Sequence, residues 1–221
     1  MLLTAKKIKN VMFDLDGTLI NSEKDVSRIL IQMVNKNGGN LSADTKIKLG
    51  PPLIDMIKIS APDLTEEQAY NAWREYGDVY KNDDLPETKP YDGIIELLKQ
   101  LKALKINVFI VTYKPKDLAV DILDRFFKGL YLDILTPTEI ENFSQGKTKT
   151  DMLKLLFDRY NLKAEESLMV GDAGTDISGG QNAGTYAIGV LYGHGEAEEL
   201  SKADFKAKNV QELEKIILEL I

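Results

Sequence analysis

The sequence predicts an α/β protein: a doubly wound parallel sheet with an all-helical segment inserted into it. Three observations carry this. Short, nearly continuous apolar runs recur at residues 106–111, 130–135, 167–170 and 185–190. Strands that lack alternation are strands covered on both faces, as in a parallel sheet. Helical patterns separate these runs from residue 92 onward, the alternation that builds βαβ units. Residues 21–88 break the rhythm, with helical patterns and no strand pattern.

Taken in order, residues 8–14 read as a strand that ends in acid at Asp14. The insert follows, with helices expected at 22–35, 52–59 and 65–81, punctuated by Gly38-Gly39 and Gly50-Pro51-Pro52. Thr65 before Glu66, Glu67 and Gln68 is a capping-box start. The tract from Asp83 to Pro90 reads as a linker. Helices are then expected at 92–104, 116–127, 151–160 and 176–183, between the strands, and residues 210–221 form a closing amphipathic helix. The expected organisation is a core of residues 1–20 and 89–221 with a helical cap at 21–88.

The 221 residues suffice for one large domain or a domain with a smaller insert. A net charge of −7 argues against a nucleic-acid partner, since phosphate backbones select basic faces. It leaves room for a small phosphorylated ligand held by local cations and a metal. With no cysteine and a single histidine, His194, a metal must be held by oxygen ligands, which points to magnesium or manganese. No segment approaches the roughly 18 apolar residues of a membrane span, and Met1–Lys7 lacks a signal-peptide run. A cytoplasmic protein is expected, with a monomer as the default state.

Ligands of an open parallel sheet sit beyond the carboxyl ends of its strands. There the sequence places Asp14 and Asp16, then Thr112, then Asp172 and Asp176, with Lys147 and Lys149 just before a helix. Clustered carboxylates need a cation among them. Asp14 and Asp172 would supply hard oxygens to one Mg2+, with Asp176 near and a carbonyl at Asp16. Gly17 would aim backbone amides, including that of Thr18, at a phosphoryl group, and Thr112 would donate to it. Asp14 would attack phosphorus, and Asp16 would serve as acid and then base.

Four ordered segments carry a family resemblance: Asp14-Leu15-Asp16-Gly17-Thr18, Val111-Thr112-Tyr113-Lys114-Pro115, the Lys147/Lys149 region and Gly171-Asp172-Ala173-Gly174-Thr175-Asp176. Together they resemble the motifs of the haloacid dehalogenase superfamily, in its phosphoglycolate-phosphatase-like and β-phosphoglucomutase-like branch with a helical cap. The resemblance implies a nucleophile at Asp14, an acid/base at Asp16, phosphate binding at Thr112 and metal acids at Asp172 and Asp176. Its lysine falls on Lys147 or Lys149, since both frames fit. Tyr113 stands where the family often has Asn. Gly50, with Pro51, Pro52 and Leu53, marks a cap loop expected to face the substrate.

Plainer readings exist for each. Asp-Gly is a common turn pair, Asp176 could cap the next helix, and Thr112 could be an ordinary strand-end hydroxyl. His194 reads as a loop residue, Tyr70, Trp73, Tyr76 and Tyr80 as cap packing, Phe126-Phe127 as core, and Lys6, Lys7 and Lys9 as an exposed N-terminal face. The function expected is a magnesium-dependent phosphatase for a small phosphorylated metabolite. The alternatives are a sugar-phosphate mutase, a dehalogenase (disfavoured by Asp16) and a non-catalytic phosphate-binding module.

Overall fold

Strand β1 (Asn10–Phe13) is the axis of the molecule, buried along its whole length. The computed structural model of the chain describes residues 8–141 and 146–221; Met1–Lys7, which include two lysines of the proposed N-terminal face, lie outside them. Residue alternation in β1 splits the core. Val11 and Phe13 face one layer of apolar side chains, while Met12 faces the other with Phe109, Val111, Met152, Leu156 and Met169. Full burial of one such side chain is worth roughly 1.5–3 kcal/mol.

The following elements are β2 (Ile20–Asn21), α1 (Glu23–Lys36), α2 (Leu53–Ser60), α3 (Glu66–Asn82) and β3 (Lys89–Pro90). Then come α4 (Ile94–Ala103), β4 (Asn107–Val111), α5 (Lys116–Phe126), β5 (Asp133–Leu135), α6 (Lys149–Tyr160) and β6 (Ser167–Gly171). The chain closes with α7 (Gly174–Ala183), β7 (Tyr186–Val190), β8 (Phe205–Ala207) and α8 (Val210–Leu220). Among the described residues the main sheet has the order β5-β4-β1-β6-β7-β8, and every pair in it is parallel. The chain winds outward from β1 through β4 to β5, then returns to β6 on the other side. The reversal between β1 and β6 opens a crevice at their carboxyl ends, the usual ligand position in this architecture.

Asn10 holds the opposite end. Its side-chain amide donates to Ser167 Oγ at 3.1 Å and its carbonyl accepts from Asn107 Nδ2 at 2.9 Å. A buried amide satisfied across three strands fixes their mutual register.

Between β2 and β3 the helices α1 and α3 pack on each other, and α2 packs on α3. Thr65 and Gln68 form the reciprocal cap read from sequence, with bonds of 3.2 and 2.9 Å. The two-residue strands β2 and β3 pair antiparallel where the chain enters and leaves this segment. Buried Asp25 of α1 ties the exit tract, accepting from the amides of Glu87 and Thr88 and the Thr88 hydroxyl at 2.8–3.0 Å.

Three differences from the sequence reading stand out. Residues 21–88 carry no strand pattern, yet Asn21 belongs to β2; two residues give no periodicity to detect. Strand β8 has no counterpart in the reading either, since Phe205-Lys206-Ala207 is a three-residue edge strand. The run at 130–135 contributes only its last three residues to the sheet.

Candidate active site

Asp14 follows β1 directly, its amide still donating to Val170 of β6 at 2.9 Å. Asp172 follows β6, and Asp176 lies in the first turn of α7. The topology therefore brings the three carboxylates together: one oxygen from each lies within 4.8 Å of the others, and all three residues are buried. Lys149 reaches into the cluster from the start of α6. Its ammonium donates to Asp14 Oδ1 at 2.9 Å and to Asp176.

Burial raises the Asp14 carboxyl to about 7; Asp176 and Asp16 add to this, and Lys149 opposes it. Burial and the nearby Asp14 charge raise Asp172 to about 6. Asp176 is raised by burial too, against Lys149. For Lys149 burial is outweighed by Asp14 and Asp176, which hold the ammonium charged. Three buried acids against one cation leave an excess of negative charge on hard oxygens. That donor set fits a divalent cation of the magnesium, manganese or calcium type.

Asp176 also accepts from the Ala173 amide at 3.0 Å, so it caps α7 while facing the cluster. Asp172 is held by the Thr18 hydroxyl at 3.2 Å and by the amides of His194 and Gly195 at 2.7 and 3.2 Å. Gly17 has φ +82°, and a Cβ there would strike the Asp172 carboxylate. Glycine is thus required both by the left-handed backbone and by the close approach.

Of the amides around Gly17 expected to face a phosphate, those of Gly17 and Thr18 have partners within the loop. The Gly17 amide bonds Ile20 O at 2.8 Å and the Thr18 amide bonds Leu15 O at 3.3 Å, so both are used in closing the loop. Lys147 is not brought to the cluster. It is half-exposed and pairs with Asp151 at 3.6 Å, because α6 begins at Lys149 and turns only that side chain inward. The Asp16 carboxylate is not a member of the three-acid group.

Asp16 opens instead onto a cavity of about 70 Å³ lined by residues of the core and of the helical segment. The core side supplies Asp14, Asp16, Thr112, Tyr113, Lys114, Pro115 and Leu118. Across it stand Ser22, Val26, Leu49, Gly50, Pro51, Leu53, Met56 and Tyr76. Buried Thr112 accepts from the Lys114 amide at 3.2 Å. Tyr113 stacks near the Lys149 ammonium, 5.0 Å from ring centre, and its hydroxyl accepts from the Lys149 amide at 3.1 Å.

Two residues without an assigned role in the sequence reading hold Asp16. Ser22 donates to Oδ1 at 2.6 Å, and Lys114 donates to both oxygens at 3.1 and 3.2 Å. Burial would raise Asp16, but Lys114 and Ser22 outweigh it and keep the carboxyl below its ordinary value. Lys114 is visible inside its motif, but nothing local to it names a partner 98 positions away. Tyr76 and Tyr80 are buried, whereas Tyr70 and Trp73 turn outward, their rings 5.5 Å apart. His194 is a loop residue whose side chain is 7% exposed and whose amide serves Asp172.

The family model for haloacid dehalogenase-like hydrolases matches residues 11–190. A phosphoglycolate phosphatase of Vibrio parahaemolyticus is 29% identical, covering 97% of this chain and 98% of its own length. A 5'-nucleotidase of Pseudomonas aeruginosa is 30% identical, covering 89% and 88%. The crystal structure of a predicted phosphatase from Clostridium acetobutylicum superposes with a TM-score of 0.86 at 31% identity, covering 97% of this chain and 100% of the other.

Proposed function

The chain belongs to the haloacid dehalogenase-like hydrolase family, and from that premise we propose that it is a magnesium-dependent phosphatase for a small phosphorylated metabolite. The single observation that carries this reading is the placement of Asp14 and Asp16. They face one cavity from one loop, with the three-acid cluster and Lys149 behind Asp14.

In this reading Asp14, Asp172 and Asp176 would hold a Mg2+, which would supply positive charge to keep Asp14 ionised and to offset the phosphoryl oxygens. An Asp14 oxygen forms a bond to phosphorus while the ester P–O bond breaks; Asp16, ionised at rest beside Lys114 and Ser22, takes up a proton as the ester binds and passes it to the leaving oxygen. Water then cleaves the aspartyl-phosphate; its proton returns to Asp16, and Asp14 regains its carboxylate. Thr112 orients the phosphoryl group, and Lys149 holds Asp14 in line. Residues 21–88 act as a cap that excludes bulk water from the cavity.

The relatives point to phosphoglycolate-like or nucleotide-like monoesters, and the small cavity favours compact leaving groups. A sugar-phosphate mutase needs a second acid/base from the cap. The cap lining offers Ser22 and Tyr76 as its hydroxyl groups and no histidine or carboxylate, which supports hydrolysis.

The test is phosphate release from a panel of metabolite phosphates and acetyl phosphate, with and without Mg2+, for wild type and Asp14→Asn. Metal-dependent release that is lost in the variant is expected. No turnover by folded, magnesium-loaded protein on any ester would sink the phosphatase reading, and interconversion of hexose phosphates without net phosphate release would favour the mutase.

A further inference from the structure

Lys114 is the second buried cation of the site, 6% exposed at its side chain. It does not touch the acid cluster. Its ammonium sits between Asp16, on both oxygens, and the face of Tyr80, 4.3 Å from the ring centre. Tyr80 stacks on Tyr76 at 5.6 Å, both on α3, and both are buried. An ammonium removed from water needs a charged partner and gains from an aromatic face. Here the charged partner comes from the core and the aromatic face from the opposite side of the cavity.

Asp16 is thereby held by three hydrogen bonds from two groups. Ser22, the residue before α1, fixes Oδ1, and Lys114 bridges Oδ1 and Oδ2. With two donors on Oδ1 and one on Oδ2, rotation about the carboxylate is blocked. Oδ2 keeps acceptor capacity beyond its bond to Lys114, and Asp16 lines the cavity.

We propose that Lys114 is the positioning residue of Asp16, and that through Tyr80 it ties the aim of that carboxylate to closure of the helical segment over the site. The proposal rests on the phosphatase reading above. Lys114 touches neither the nucleophile nor the three-acid cluster, so with a leaving group that needs no proton its loss leaves phosphoryl transfer to Asp14 in place and impairs the step in which Asp16 must address water.

Acetyl phosphate labelled in its phosphoryl group separates the two steps, because acetate leaves without needing a proton. Acid-quenched phosphoenzyme is followed in magnesium-loaded wild type and Lys114→Met. The expected result is formation within about threefold of wild type and decay slowed roughly 10- to 100-fold, so that phosphoenzyme accumulates. Tyr80→Leu should slow decay by a smaller factor with formation unchanged. Slowed formation in Lys114→Met, or unchanged decay, would overturn the proposal; unchanged decay in Tyr80→Leu would overturn the tie to the helical segment.

The double variant Asp16→Asn/Lys114→Met removes a balanced pair and covers the case in which Lys114→Met does not fold. If Lys114 acts through Asp16, the double variant decays at the rate of Asp16→Asn alone. A further slowing equal to that of the single variant would show direct action and overturn the proposal. A wild type that forms no phosphoenzyme and releases no phosphate would fail at an earlier point, removing the phosphatase reading and this proposal together.

Discussion

The site has two halves with opposite charge arithmetic. Around Lys149, three buried carboxylates face one ammonium. Around Lys114, one carboxylate faces one ammonium, with a hydroxyl in support. The same residue types therefore end in opposite states: Asp14 and Asp172 are pushed up to about 7 and about 6, while Asp16 is held below its ordinary value. The unbalanced half offers an oxygen donor set that fits a cation. The balanced half is complete without one and serves to hold a side chain in place.

The comparison is tested most severely at Asp14. Asp14→Asn keeps the shape and removes the nucleophile; phosphate release is expected to fall by at least about 10³-fold, with an unchanged circular-dichroism spectrum. Lys149→Met comes next. It strips the Lys149 ammonium from the acidic half, and breaking a buried pair costs roughly 3–5 kcal/mol. Denaturant midpoints should show that loss at neutral pH, with Mg2+ restoring part of it. A midpoint unchanged from wild type would mean that Lys149 does not balance the acids.

Acidity separates the halves more gently. Without metal, the raised values of Asp14 and Asp172 make the folded state bind more protons than the unfolded chain, whose carboxyls titrate near 3.8. Stability therefore falls as pH rises from about 4 to about 7 and then levels. Mg2+ should raise Tm more at about pH 8 than at about pH 5, because the acids must be ionised to bind it. Asp16 has the opposite sign: its contribution is present above the ordinary carboxylate pKa and is lost only as pH falls below it. An equal magnesium effect at both pH values would remove the acidic-half account.

The smallest effects belong to exposed lysines. Lys147→Met should change turnover by less than about twofold and stability by under roughly 0.5 kcal/mol, since its partner Asp151 is a surface neighbour one turn on. Lys48 pairs with Glu199 at 2.6 Å, joining a loop of the helical segment to the core. Lys48→Ala should cost less than about 1 kcal/mol in a denaturation curve, because the pair is solvent-exposed.

Much of the fold is legible along the chain. The ends of α3 and α8 fall within one residue of those read from their apolar spacing, because each helix buries one stripe of a repeating pattern. The central strands β4 and β6 show as continuous apolar runs, since both of their faces are covered. The clustering of Asp14, Thr112 and Asp172 follows from a rule about where parallel strands end. Other features have no local signature. Strands β2, β3 and β8 are two or three residues long, and their existence depends on partners supplied by distant chain. The use of the Gly17 and Thr18 amides in closing their own loop is hidden, because a turn pair reads alike whether its donors face inward or outward.

The lysines mark the boundary most clearly. By itself the sequence determined that two acids two residues apart end the first strand, that further acids end a later one, and that a lysine stands before a helix. Only the tertiary structure decided which lysine. Gly179 of α7 lets α6 approach so closely that an added Cβ would press on the Lys149 side chain, and this contact carries Lys149 into the acids while Lys147 stays in water. Tertiary packing likewise decided that Lys114 serves Asp16, and that Asp16 and Asp14 have opposite shifts. Residue identity and spacing are local and can be read along the chain. A charge's burial and its partners are set by the elements packed around it, and those come from across the fold.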